Sequence, residues 1–365
     1  MDEKLYQVAL EFVPRIGDVN AKNLIAYCGS ASAIFKANTN HLKKIPGIGP
    51  KAIELLQTSA PLKEAERVLE VCLKKEIAIH HFTDKSYPHL LKQAADAPNI
   101  IYSKGHIEDL KRPLAIVGTR NATEYGKSVT EKIVEDSKVL GATIISGLAY
   151  GIDIAAHRSA LKNDIPTIGV LAGGLDSIYP STHKKYAEEM LALGGLISEN
   201  PPGIKAEAHF FPARNRIIAG MSEAVIVVEA AQKGGALITA NIADSYDKVV
   251  FAVPGDLQHK YSEGCNYLIR NQKALIYTRI EDLRYHLNWE EGGGNEKAKS
   301  SRDYSKLAEL DQTIVKTLEQ HPAGIAIDEL SWRTQIPINR LAGNLLNLEF
   351  DGYLKSLPGK KYKLS

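Results

Sequence analysis

A chain of 365 residues is too long for one ordinary core, so two or three domains are expected. Its 44% apolar and 24% charged content fits a soluble globular protein, and a net charge of +2 confines any nucleic-acid role to a local patch. The opening "MDEKLYQVALEFV" lacks a signal-peptide layout, no apolar run reaches membrane-span length, and Cys28, Cys72 and Cys265 form no CxxC pair. These features predict a reducing cytoplasm, no membrane partner, and neither zinc nor a disulfide framework.

Residues 1–80 read as short helices broken by Pro-Gly turns. They contain a repeat: "VPRIGDVNAKNLIAYCG" (13–29) echoes "IPGIGPKAIELLQT" (45–58), each a Pro-x-Ile-Gly followed by an amphipathic pattern. The second copy, with Gly47-Ile48-Gly49 and Lys51, matches a helix-hairpin-helix whose loop amides can point at a DNA phosphate. A helical packing module whose glycines only make turns fits equally well, since the first copy has Asp18 in place of the second glycine.

Residues 81–288 alternate strands with helices. "LAIVG", "ATIISG", "TIGVLAGG", "AVIVVEA" and "KVVFAVPG" are short apolar runs ending at or near glycine. Such runs are buried parallel strands with crossover helices, which predicts an α/β fold: an extended Rossmann-like, doubly wound, mainly parallel sheet with its functional loops at the strand C-terminal ends.

Four segments of this region bear on chemistry. In "AIVGTRNATEYG" (115–126) a strand ends at Gly118, and Thr119 and Arg120 follow at the rim; Arg120 and Asn121 stand where the glycines of a dinucleotide fingerprint would be. In "ISGLAYGIDIAAHRSAL" (145–161), Asp153 and His157 share a helix face. With no third partner or nucleophile in view, the structural role is favoured over acid–base catalysis. In "HFFPARNRIIAGMSEAVIVVEA" (209–230), Arg214 and Arg216 flank Asn215 behind Phe210 and Phe211. Guanidinium groups suit phosphate and aromatic faces suit unpaired bases. The alternative is core phenylalanines and an arginine paired with Glu223 or Glu229. In "VVEAAQKGGALITANIA" (227–243), Lys233 precedes Gly234-Gly235 at a helix start, the reverse of a Walker A loop, with no hydroxyl to follow and no clear acidic partner for a metal. That site can hold phosphate but is poorly equipped to cut it. Three cationic loops, at Arg120, at 214–216 and at Lys233, are therefore expected to converge on one sheet edge.

Residues 289–306, with a glycine run and mixed charge, read as a flexible linker. Residues 307–365 carry three amphipathic helical patterns and a hairpin turning at Pro358-Gly359, a winged helix-turn-helix layout.

The ordered set "VGTR", "SGLAYGIDIAAH", "GVLAGGLDSIYP", "FPARNRIIAG", "KGGALITA" and "FAVPG" resembles the DprA/Smf family of bacterial DNA-processing proteins through about residues 80–280. The resemblance implies an extended Rossmann-like domain that binds single-stranded DNA and acts as a homodimer. It also implies a role in natural transformation, protecting incoming strands and loading the RecA recombinase, without a cofactor. Gly118, Thr119 and Arg120 match the family's G-[ST]-R loop, Phe211, Arg214, Asn215 and Arg216 its F-P-x-R-N-R motif, and Lys233, Gly234 and Gly235 its K-x-G segment. Thr119 and Gly234 stand where serine is common; the second change loses a hydroxyl that could contact the strand.

Two rival functions are set against this one. A phosphoribohydrolase-like enzyme would need P-G-G-x-G-T-x-x-E where this chain has "KGGALITAN", without the catalytic glutamate. A transcription regulator would read duplex DNA through "PINRLAGNLLNLEFDG", with Asn339, Arg340 and Asn344. That segment is dominated by apolar residues, and Lys360, Lys361 and Lys363 of the wing suit phosphate contact rather than base readout, leaving duplex contact or a protein-interaction module open.

Overall fold

A computed structural model describes residues 3–289, 307–319, 321, 324–351, 353–357 and 361–364. The chain divides into two compact units, Met1–Gly294 and Asn295–Ser365. Apart from Trp289, the linker expected over 289–306 lies outside the described residues, as do Lys360 and the turn at Pro358-Gly359.

The first unit is built on a nine-stranded sheet: β1 (Ala78–His81), β2 (Ile100–Gly105), β3 (Pro113–Val117), β4 (Thr143–Ser146), β5 (Thr167–Val170), β6 (Gly195–Ser198), β7 (Ala224–Val227), β8 (Val249–Ala252) and β9 (Leu275–Ile276), in the order β1-β2-β6-β5-β4-β3-β7-β8-β9. From β6 to β9 every neighbouring pair is parallel; β1 and β2 add an antiparallel edge. The mainly parallel, doubly wound sheet is the expected fold class, and the five expected strands are β3, β4, β5, β7 and β8.

Side-chain alternation explains why those runs are wholly apolar. Leu114, Ile116, Ile144, Ala224 and Ile226 enter one core layer, beneath Ile133, Val134, Ile152 and Ala156. Their neighbours Ala115, Val117, Ile145, Val225 and Val227 enter the opposite layer, against Ile217, Ile218, Leu237 and Ala240. Helices therefore cover both faces, and only the ends of the strands can offer a site.

The N-terminal helices pack on the sheet rather than beside it. Leu5, Val8, Ala65 and Val68 share a core with Ile100, Tyr102 and Leu196. In the repeat, the second copy places Gly49 at the N-cap of the helix Pro50–Leu56, with Pro50 in its first turn. In the first copy Asp18 opens the helix Asp18–Cys28, and its carboxylate accepts the Asn99 amide (2.7 Å) and the Arg216 guanidinium (3.1 Å). The first hairpin thus presents an acid to the sheet body where a phosphate-binding copy would present amides.

The second unit has helices Glu309–Glu319, Ile327–Thr334 and Ile338–Phe350 with strands β10 (Ile325–Ala326), β11 (Leu354–Leu357) and β12 (Lys361–Leu364) in the order β10-β12-β11. Ile314, Leu318, Leu330, Leu341 and Leu345 form its core. This is a winged-helix arrangement. No helix among the described residues is long and apolar enough to cross a membrane.

Candidate nucleic-acid interface

The sheet order reverses at β3. Chain progress runs outward through β4, β5 and β6 on one side and through β7, β8 and β9 on the other. Crossovers leave a doubly wound sheet on opposite faces at such a point, opening a crevice at the strand C-terminal ends. Here the crevice is a cleft of about 790 Å³, lined among others by Gly118, Thr119, Arg120, Lys233, Gly234 and Gly235.

Its floor is held by backbone contacts. The Thr119 amide donates to the Glu229 carbonyl at 2.7 Å, and the Ile152 amide donates to the Thr119 carbonyl at 3.2 Å. Gly151 makes the second contact possible: its φ is +80°, and a Cβ built there would lie 2.1 Å from the Thr119 oxygen. Glu229 is buried and accepts both the Thr123 amide (2.9 Å) and hydroxyl (2.6 Å). Glu229 therefore anchors the start of the helix Glu124–Ser137 and has no arginine ion pair among the described residues.

On the β7 side, the eleven-residue helix Gly235–Ser245 begins at Gly234 with no side-chain cap, and Gly234, Gly235 and Ala236 line the cleft beside the exposed Lys233. A helix N-terminus with a lysine at its rim favours an anion.

The third expected cationic loop is a helix, Phe210–Gly220. Residues 214 and 216 are about 200° apart around a helix of 3.6 residues per turn, so the two arginines cannot serve one cleft. Phe211, Arg214 and Asn215 line the cleft; Arg216 lies away from it, bonded to Glu199 and Asp18. The carboxylate partners of this motif are thus Glu199 and Asp18 instead of Glu223 or Glu229, and Glu223 accepts from the Trp289 indole at 2.8 Å.

Arg214 is only 5% exposed. Its Nη1 donates to the carbonyls of Gly147 and Val170, at the ends of β4 and β5. Asp153 beside it accepts the amides of Gly147 (3.1 Å) and Ala149 (3.4 Å). Burial raises the Asp153 pKa and lowers that of Arg214, each opposed by the other's charge. His157 is also buried, with Nδ1 2.7 Å from the Thr167 hydroxyl. Burial, with the charges of Arg214 and His183, pushes its pKa down to about 3, so it is neutral at physiological pH. Asp153 and His157 brace the loops from behind. Asn215 donates to the Gly235 carbonyl at 3.3 Å and ties the two helices that flank the cleft.

The cations exposed in the cleft are Arg120, Lys233 and Lys260; none has an ion pair among the described residues. Lys260 and its neighbour Tyr261 follow β8, and the sequence reading passed over them. Their signal was available, because "FAVPG" is another strand end on the same sheet edge. Tyr179, within the motif "GVLAGGLDSIYP", is a further cleft residue not singled out by the sequence pattern. The Arg120 guanidinium carbon lies 5.1 Å from the Phe211 ring centroid, and Phe211 meets Tyr179 edge-on at 5.8 Å.

The fold is of the doubly wound α/β class with a winged-helix module following it in the chain, and its switch point brings together an uncapped helix start, three exposed cations and an aromatic wall, a candidate anion site. The chain belongs to the DNA recombination-mediator protein A family, whose model matches residues 78–288, and the DprA winged helix domain matches residues 298–360. Protein Smf of Synechocystis is 32% identical over 395 aligned positions, covering 99% of this chain and 98% of that one. Among solved structures, DNA processing protein A of Streptococcus pneumoniae is similar at a TM-score of 0.64 and 30% identity, over 80% of this chain and 99% of that one. DNA processing protein A of Helicobacter pylori, solved for its single-stranded DNA binding mode, is similar at a TM-score of 0.54 and 29% identity, over 60% of this chain and 98% of that one.

Proposed function

We propose that this protein binds single-stranded DNA along the switch-point cleft, holding the backbone with Arg120, Lys233, Lys260 and the amides of Gly234 and Gly235. Gly118 and Thr119 shape the floor. Arg214 and Asn215 position the walls, and Arg216 acts outside the cleft. The observation that carries this reading is the trio of exposed cations around one cleft, none with an ion pair among the described residues. Kinship with the Helicobacter pylori protein supports it.

The role is that of a mediator in natural transformation, in the cytoplasm: the protein covers incoming single strands as a homodimer through its Rossmann-like domain and helps load RecA onto them. Binding without catalysis fits the cleft, where Asp153, the one lining carboxylate among the described residues, is committed to the Gly147 and Ala149 amides. The winged helix contributes a separate contact to duplex phosphates. Lys355 stands opposite Lys363 in the β11–β12 ladder, a like-charge pairing that an anion would relieve. Binding of labelled oligothymidine, with nucleoside monophosphates incubated in parallel, tests the reading. Strand binding without release of free base is expected; base release would establish the phosphoribohydrolase reading instead.

A further inference from the structure

We propose that Tyr179 is the base-stacking platform of the cleft and the residue that separates single strands from duplex, with Phe211 serving to hold the Arg120 side chain. The inference rests on the single-strand reading above.

The aromatic surface of Phe211 is already engaged. Arg120 lies over its ring, within cation–π range at 5.1 Å, and the Tyr179 ring packs against it at 64°. A base seated on Phe211 would have to displace one of these neighbours. Tyr179 stands at the outer end of the same ladder. It lines the cleft and leaves 55% of its surface exposed.

The loop that carries Tyr179 is pinned, so the platform is formed before a ligand arrives. The Gly174 amide donates to the Ile204 carbonyl at 2.8 Å, Asp176 accepts the Gly203 amide at 2.8 Å, and Asn200 donates to the Ala172 carbonyl at 2.8 Å. Leu175 of the same loop is buried. A preformed platform spends little ordering entropy on binding.

The chemistry selects the ligand. A tyrosine face stacks on any unpaired base without reading its identity. A base inside a duplex has both faces covered by its neighbours, so Tyr179 gives a duplex nothing. The cations contact phosphates present in both forms. Removing the ring should therefore weaken single-strand binding selectively.

The two kinds of contact are separable by salt. The slope of log affinity against log salt counts neutralised phosphates and is indifferent to stacking. In the full chain, Tyr179→Ala should lower oligothymidine affinity by roughly 5- to 150-fold with an unchanged slope. Duplex affinity should hold, narrowing the single-strand to duplex ratio, and Tyr179→Phe should restore the wild-type value. A 2-aminopurine base in the oligonucleotide should be quenched on binding wild type and Tyr179→Phe but not Tyr179→Ala. If wild type binds and Tyr179→Ala binds as well, or loses affinity with a flattened slope, the platform is wrong while the cleft stands. If wild type fails to bind oligothymidine, the single-strand reading falls and takes the platform with it.

Discussion

Arg214 lies so close to Gly147 that a Cβ built on the glycine would stand 2.2 Å from Nη1, the same atom that donates to the Gly147 carbonyl. A motif arginine is thus spent inside the protein, tying the helix Phe210–Gly220 to the ends of β4 and β5. Arg214→Ala strands the buried Asp153 and two carbonyls, and should cost about 3–5 kcal/mol. Arg214→Lys should not rescue it, since an ammonium lacks the forked donor geometry. Urea denaturation measures the loss. Folded Arg214→Lys should retain the wild-type salt dependence of strand binding.

The Asp18–Arg216 contact, shared with Glu199, fastens the first hairpin repeat to the sheet body. Asp18→Ala removes both this pair and the acceptor for the Asn99 amide, and should cost about 2 kcal/mol. Limited proteolysis should show faster cutting in the N-terminal helices, with oligothymidine affinity unchanged.

Glu11 supplies a pH dependence. It accepts a 2.5 Å bond from the Tyr102 hydroxyl, yet burial, with Asp18 and Glu199 nearby, pushes its pKa up to about 8 from 4.5. The folded protein therefore holds this proton more tightly than the unfolded chain. The associated stability is fully present below the unfolded value of about 4.5 and is lost as pH rises through about 8. Thermal melts from pH 5.5 to 8.5 should show a decline that Glu11→Gln flattens.

The parts of the fold that were legible in the sequence share one physical cause. Strands buried on both faces must be apolar at every position, and β3, β4, β5, β7 and β8 read directly. β1 and β2 do not, because their polar residues are satisfied inside. His80, for example, lies between the hydroxyls of Ser86 and Ser103 at 2.8 Å each. In "FFPARNRIIAG", Pro212 falls in the first turn, where a proline is tolerated, so the segment is helical and its two arginines part company. The partner of Arg216, Asp18, lies 198 residues away in the chain, beyond any local pattern. Arg120 and Lys233 were legible because each lies in the loop that follows a strand ending at the switch point. Lys260 obeys the same rule one strand further on.

The central claim is that Arg120, Lys233 and Lys260 hold a DNA backbone and Arg216 does not. Oligothymidine affinity measured across a salt series for wild type, Arg120→Ala, Lys233→Ala, Lys260→Ala and Arg216→Ala tests it most directly. Each of the first three variants should bind more weakly, with a log–log slope shallower by about 0.7, the value for one lost phosphate contact on a single strand. The slope for Arg216→Ala should match wild type. Unchanged slopes for Arg120→Ala and Lys233→Ala would contradict the account.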